Sequence, residues 1–498
     1  MKKLALILIV AMVFITFAAC ANENAATETP TEAPTDIGNN ENIDNDIDTP
    51  EQDDGIRGFT VSNERENIPD DADFGGHNFI IMIEDPNEKV WTYTNMVVEE
   101  LTGDAIDDAF FRRNRLVEER LNINISQRIV SVWGGATSTE FRREVASGAG
   151  SFDIALISYG YAARLALGNY CFRLNEVPYI DLDKPWWDQG SRRDLSIANH
   201  NFLMASDITI ADNDNTWLIY FDKQLREDLG LENPYDLVHE GRWTFDKMLS
   251  MMRDAEMDMD GSGVMTMNDR FGLLTHGENF AGLWIAAGQR LITKNADDMP
   301  EIAFGDEMFM TVWQSIIEIM NDTSTRADDI GFISRGLADG QTLFANEILK
   351  FVRDYRGNDR EFGILPMPKF NEQQESYHTY VALSAPLLII PISNPDIERT
   401  GIIVEAMAAE GHRTIMPAYY EVSIEGKFVR DEESIEMLNI AFATRTYDLG
   451  VVFNWGSMAT QLRTLGERND SGIASLLDRI SGMIERDMER TFAVFEEH

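Results

Sequence analysis

From about residue 77 the chain alternates between two rhythms of apolar residues. Short, nearly unbroken apolar runs at 79–83, 152–157, 217–221, 271–274 and 387–391 read as buried strands, and Ile123 to Ile129 reads as a further strand. Between them the apolar positions recur at helical spacing. Asp104 opens a helix to Leu121, with Ile106, Phe110, Val117 and Leu121 on one face, and Ser138 starts another. Asp222 and Lys223 open a short helix that stops at Gly230, after which Pro234 forces a turn. Thr244 is an N-cap before Phe245, Met248, Leu249 and Met252, one buried helical face. Further helices are expected over 309–321 and over 395–410, the latter ended by Gly411, while 202–205 and 451–453 read as strands.

Strands and helices alternating at these lengths imply an α/β fold with parallel pairing and helices on the sheet faces. A ligand site then belongs beyond the carboxyl ends of the strands. Those ends are Trp133-Gly134-Gly135 and Ser158-Tyr159-Gly160-Tyr161, aromatic and glycine-rich as a pocket floor would be.

The 498 residues, 44% of them apolar, are enough for two or three domains. The 85 acidic against 42 basic residues give a formal charge of −43, which excludes a phosphate-neutralising surface for nucleic acid and argues against adsorption to anionic lipid. It suits an exported protein with a solubilising surface. The two cysteines are Cys20 and Cys171, and Cys171, in NYCFRL, reads as a small buried hydrophobe.

Lys2 and Lys3 precede the apolar run 4–15 and then Phe17-Ala18-Ala19-Cys20. This is an export signal, too short for a membrane span. Its small-small-Cys ending resembles the lipobox of bacterial lipoproteins, in which the cysteine is acylated; the alternatives are an ordinary cleaved signal or an uncleaved anchor. From Ala21 to about Asp73 the composition is Asn, Thr, Glu, Asp and Pro, with no Lys or Arg before Arg57. Such a segment cannot offset its ordering entropy and is expected to be a disordered tether.

The stretch NTWLIYFDKQLREDLGLENPYDLVHEGRWTFDKM, from Asn215 to Met248, resembles the segment of bacterial extracellular solute-binding proteins, the carbohydrate-type receptors of ABC importers, where the chain enters the second lobe. The likeness continues in FDIALISYGYAARLALGNYCFRLNEVPYIDLDKPWW, which ends on Trp186 and Trp187. It extends to the stretch from Gly336, expected as a helix to Phe344 and then a strand, and to FGILPMPK, from Phe362 to Lys369, expected as the return crossing. The resemblance implies an α/β, two-lobed periplasmic-binding-protein fold with three inter-lobe crossings and a ligand cleft between the lobes. The implied organisation is a signal peptide over 1–20, an acidic linker over 21–75, a first lobe from 76–210 and 364–410, and a second from 211–363 and 411–498. The implied function is capture of a sugar or oligosaccharide by lobe closure and delivery to an importer permease, by a monomer lipid-anchored to the outer face of the cell membrane.

The expected ligand-binding residues are Tyr159 and Tyr161 on the first lobe, Asn215 at the crossing, and Glu278, Phe280, Trp284, Asn346 and Trp455 on the second. Sugar faces stack on aromatic rings while amides and carboxylates take hydroxyls. Each aromatic has core packing as its alternative, and for Trp186 and Trp187 packing is the favoured reading. Asp258, Asp260, Ser262, Thr266 and Asp269 stand at positions 1, 3, 5, 9 and 12 of a calcium-type loop with Gly263 at position 6. A structural calcium is therefore expected there or, failing that, a solvated acidic turn; no other cofactor is called for.

No P-loop, GxSxG or GxGxxG motif occurs, and the seven histidines form no zinc-type pair. Carboxylates are too plentiful for spacing to exclude a glycosidase pair, so a cell-surface glycoside-active enzyme stands as an alternative, beside a receptor for peptide or polyamine and an adhesin or scaffold. The strong negative charge makes anionic solutes the less expected ligands, unless a local pocket defies it.

Overall fold

A computed structural model describes residues 59–277, 279–328, 330–351, 360–422 and 432–496. The expected export signal, Cys20 and the tether up to residue 58 lie outside the described residues, as does Glu278. Among the described residues no helix is long and apolar enough to cross a membrane.

Two sheets organise the chain. In the first, His77–Glu84 pairs in parallel with Ile123–Val130 on one side and Ile154–Ser158 on the other, and Pro386–Ile389 adds antiparallel to Ile154–Ser158. In the second, the order is Phe362–Leu365, Trp217–Asp222, Thr342–Ile348, Phe271–Thr275 and Thr325–Ala327. The apolar runs form strands because both sheet faces are covered: Trp217–Asp222, Phe271–Thr275 and Thr342–Ile348 are buried along their whole length. The helix Ala105–Leu121, capped by the Asp104 carboxylate, packs on the helix Ile397–Tyr420 beside the first sheet. Thr244 caps Phe245–Ala255, whose buried face includes Phe245, Met248, Leu249 and Met252.

The chain leaves the first sheet before Trp217, returns between Leu365 and Pro386, and passes over again after Tyr420. These passages are fastened together. Thr216 bridges to Val381, and Thr379–Tyr380 pairs in parallel with Arg445–Thr446. Beside them Arg445 donates to Asp212 and Asp188, both at 2.7 Å.

Several elements differ from the sequence expectation for local physical reasons. Gly411 does not end its helix. A Cβ there would lie 2.0 Å from the Asp207 carbonyl oxygen, so the glycine permits a close approach and the helix runs on to Tyr420. Pro234 starts a helix, Pro234–His239, at the position where a missing N–H costs nothing, with Asn233 as its cap. Residues 451–453 lie in the helix Leu449–Phe453, started by the Asp448 carboxylate accepting from Gly450 N–H at 2.7 Å. The stretch 336–344 divides between the end of the helix Ile330–Ala338 and the strand that begins at Thr342. Phe362–Leu365 still belongs to the second sheet, and 202–205 supplies only the bridge Met204–Leu388.

Residues 59–68, which the composition groups with the tether, lie against the first-lobe helices. Phe59 stacks on Tyr420 and meets His412 edge-on, both at 4.9 Å, and Ser62 N–H donates to His412 Nε2 at 3.0 Å. Glu66 joins Arg413, at 2.7 Å, and Arg120. Trp186 and Trp187 are buried, each donating its indole N–H to Glu405. Cys171 is buried as well, and burial pushes its thiol up.

Candidate ligand cleft

The three parallel strands of the first sheet end at one place. His77–Glu84 ends on Glu84, Ile123–Val130 leads into Val132, Trp133 and Gly134, and Ile154–Ser158 leads into the helix Tyr159–Leu167. Beyond these ends lies a cavity of about 480 Å³, within the roughly 300–1,000 Å³ of small-molecule sites. The first lobe contributes Trp91, Trp133, Tyr161 and Arg164. Tyr380, Leu383 and Ser384 come from the returning passage. The second lobe adds Phe280 and Trp284 from Asn279–Ala286, and Arg463 from Met458–Glu467. Residues far apart in sequence therefore face one space from two bodies.

Its inner end is polar and fastened. Lys89 and Glu84 are fully buried and form an ion pair, and the Lys89 ammonium also donates to Ser158 Oγ at 2.8 Å and to the Ser384 carbonyl. Glu84 accepts in addition from Ser158 N–H at 3.1 Å. Burial draws the Lys89 ammonium below its usual range against the opposing pull of Glu84. The pair ties a strand end, a helix start and the returning passage into one corner.

The outer end is aromatic and open. Trp133 is 62% exposed and meets Trp91 edge-on at 6.2 Å. The positive φ of Gly134, 64°, makes the turn that follows Trp133 accessible to the backbone. Arg164 is exposed, with its guanidinium 5.8 Å from the Tyr161 ring centre, and among the described residues it forms no ion pair. Arg463 Nε bonds Glu467 at 2.8 Å. Phe280 and Trp284 are only 3% and 1% exposed and pack against Trp313, so they back the wall rather than stand out from it. The Trp284 indole N–H is buried without an acceptor.

Of the residues expected to touch ligand, Tyr161, Phe280 and Trp284 come together on the cavity. Four others are placed in the packed interior, not on the cavity wall. Tyr159 is turned inward, its hydroxyl donating to the Val381 carbonyl at 2.5 Å and its ring against Tyr447. Asn215 is fully buried at the crossing, donating to Thr92 Oγ1 at 3.0 Å and accepting from Ser384 Oγ at 2.6 Å. Asn346 sits inside the second sheet, bonded to Thr275 Oγ1 and to the Leu218 carbonyl. Trp455 stacks on Phe453 at 4.9 Å and donates to Thr491 Oγ1 at 2.7 Å. Trp91, Trp133, Arg164, Arg463 and the Glu84–Lys89 pair also line the cavity and are not among the expected ligand residues. The strand-end rule already pointed to the Trp133 loop, and Trp91 is a lone tryptophan in a polar run just after a strand.

Asp258, Asp260 and Asp269 bring carboxylate oxygens within 4.8 Å of one another. Asp258 accepts backbone N–H bonds from Gly261, Ser262 and Gly263, and Asp269 from Met259 and Thr266, which hold both below the usual carboxylate range. Ser262 and Thr266 spend their hydroxyls on Val264 O and Asp269.

Solved structures share this architecture at low identity. The sugar-binding protein MalE from Xanthomonas citri aligns with a TM-score of 0.56 at 12% identity, over 84% of this chain and 100% of that one. A cyclo/maltodextrin-binding protein, solved with maltotetraose, gives 0.53 at 9% identity over 87% and 98%. The GacH receptor of Streptomyces glaucescens, solved unliganded and with acarbose, gives 0.52 at 12% identity over 85% and 98%. The chain thus has the two-lobed α/β periplasmic-binding-protein fold. No family model matches it, and no curated relative does.

Proposed function

We propose that the protein is an extracellular solute-binding receptor that closes its two lobes on a saccharide and delivers it to an ABC importer. The observation that carries this reading is the cavity beyond the first-lobe strand ends, walled by aromatic rings from both lobes. Structures of like fold have been solved with maltotetraose, acarbose and raffinose. Affinity is the function, so the closed state is favoured by as much as ligand binds it better than the open one. Among the described lining residues Glu84 is the one carboxylate, and Lys89 holds it, which favours a receptor over a two-carboxylate glycosidase.

The test is a thermal-shift titration of the purified full chain with oligosaccharides, peptides and polyamines, followed by recovery of the ligand. A bound saccharide at a hundred times its dissociation constant should stabilise by about 2.7 kcal/mol and return intact. Cleavage of the sugar would make the protein an enzyme, and no shift with any saccharide would end the receptor reading. Acylation of Cys20 has its own readout: labelled fatty acid should enter the wild-type chain in cells and not Cys20→Ser. A calcium ion in the loop of Asp258, Asp260 and Asp269 should raise the melting temperature over that in chelator, and Asp260→Asn should remove the difference.

A further inference from the structure

We infer that the cleft prefers an acidic saccharide, one whose sugar rings carry a carboxylate. This rests on the receptor reading above and names the class of its ligand. In the whole chain Asp and Glu outnumber Lys and Arg by 85 to 42. The described cavity lining reverses that balance, with Lys89, Arg164 and Arg463 against Glu84. Lys89 and Glu84 neutralise each other in their buried corner and Glu467 pairs with Arg463, so among the described residues the charge left on the wall is the guanidinium of Arg164. The two arginines come from different lobes, Arg164 from the helix Tyr159–Leu167 and Arg463 from the helix Met458–Glu467. Glu467, which takes the Nε edge of Arg463, is not part of the lining.

Arg164 matters most. A protein with a charge of −43 repels anions at long range, but salt screens that field beyond about 8 Å. Inside the cleft the nearest charges decide, and among the described residues Arg164 has no ion-pair partner. A guanidinium fork matches a carboxylate in two parallel bonds, stronger than its bonds to neutral hydroxyls. The aromatic rings around it require that the anion be carried on an apolar-faced body, which a sugar ring supplies and a small inorganic anion does not. The unpaired charge of Arg164 disfavours a polyamine.

The experiment uses the purified full chain and matched ligands: uronate trisaccharides released from pectate, alginate and heparosan, each beside its carboxyl-reduced counterpart, with a sulfated neutral trisaccharide as a further arm. Calorimetry should find at least one uronate bound about tenfold or more tighter than its reduced form, with the gap narrowing as salt is raised. Arg164→Gln should weaken the uronate more than the reduced sugar and so shrink the preference, as should Arg463→Gln; Arg142→Gln, off the cavity, should leave the preference in place. Equal or tighter binding of the reduced sugars overturns the inference while leaving the receptor reading standing. Tighter binding of the sulfated sugar than of any uronate overturns the carboxylate assignment. If no saccharide binds, acidic or neutral, both readings fall together.

Discussion

The two ends of the cleft use polar and aromatic side chains in opposite ways. At the inner end Glu84, Lys89, Ser158, Ser384, Asn215 and Thr92 bond to one another, and the groups that could grip a ligand are occupied by the protein itself. At the outer end Trp133 is 62% exposed and Arg164 stands without an ion-pair partner among the described residues. Buried polar groups must be satisfied within the fold, while exposed rings and charges are left for a visitor. Substitutions at one end should therefore be read as stability, and at the other as affinity.

The strongest way to break this contrast is at the inner corner. Lys89→Met should strand the Glu84 charge and cost about 3–5 kcal/mol, and adding Glu84→Gln should recover most of it. Chemical denaturation of the three variants measures both; a neutral Lys89→Met would put that pair among the dispensable groups. Trp455→Ala should behave in the same manner, with a loss of about 3–5 kcal/mol from a packed interior and unchanged affinity of the folded fraction. Trp133→Ala is the counterpart. Its stability should move by no more than about 0.5 kcal/mol while saccharide affinity falls up to about tenfold, and a large loss of stability would remove it from the binding surface.

A smaller effect, away from the cleft, is set by pH. Burial raises the Asp212 carboxyl to about 7 at the crossing and the Glu405 carboxyl to about 7 between Trp186 and Trp187, whose indole N–H bonds pull the other way. An acid raised in the folded state binds more protons there than in the unfolded chain, so stability should fall as pH rises from about 4.5 through 7. Burial acts against ionisation of Glu66 too, yet Arg120 and Arg413 hold it down at about 2, so its contribution is present above about 4.5 and lost on the way down. Melting temperature should therefore peak in mildly acidic buffer, and Glu405→Gln should flatten the alkaline side of the profile.

Strands such as 217–221 and 271–274 were legible because they are buried on both faces and so read as apolar runs, and each extends by a single residue in the structure. Helix starts were legible where a cap residue states them, as at Asp104 and Thr244. Gly411 and Pro234 misled because each residue has two uses, and the choice between them is made by a neighbour far away in sequence or by a cap one residue before. The site was harder. An aromatic beside glycines looks alike whether it faces a cavity, as Trp133 does, or a helix, as Trp455 does. What separates them is position relative to a strand's carboxyl end, a property of the assembled sheet rather than of the local sequence.

The packing of Phe59 to Glu66 on the first-lobe helices has a mechanical meaning. A pull arriving at Phe59 is shared among Tyr420, the bond of Ser62 to His412, and the pairing of Glu66 with Arg413 and Arg120. These partners all stand on the helices Ala105–Leu121 and Ile397–Tyr420, so the load enters one lobe. In the receptor proposed above, a tether fixed to that lobe would leave the second lobe to do the moving.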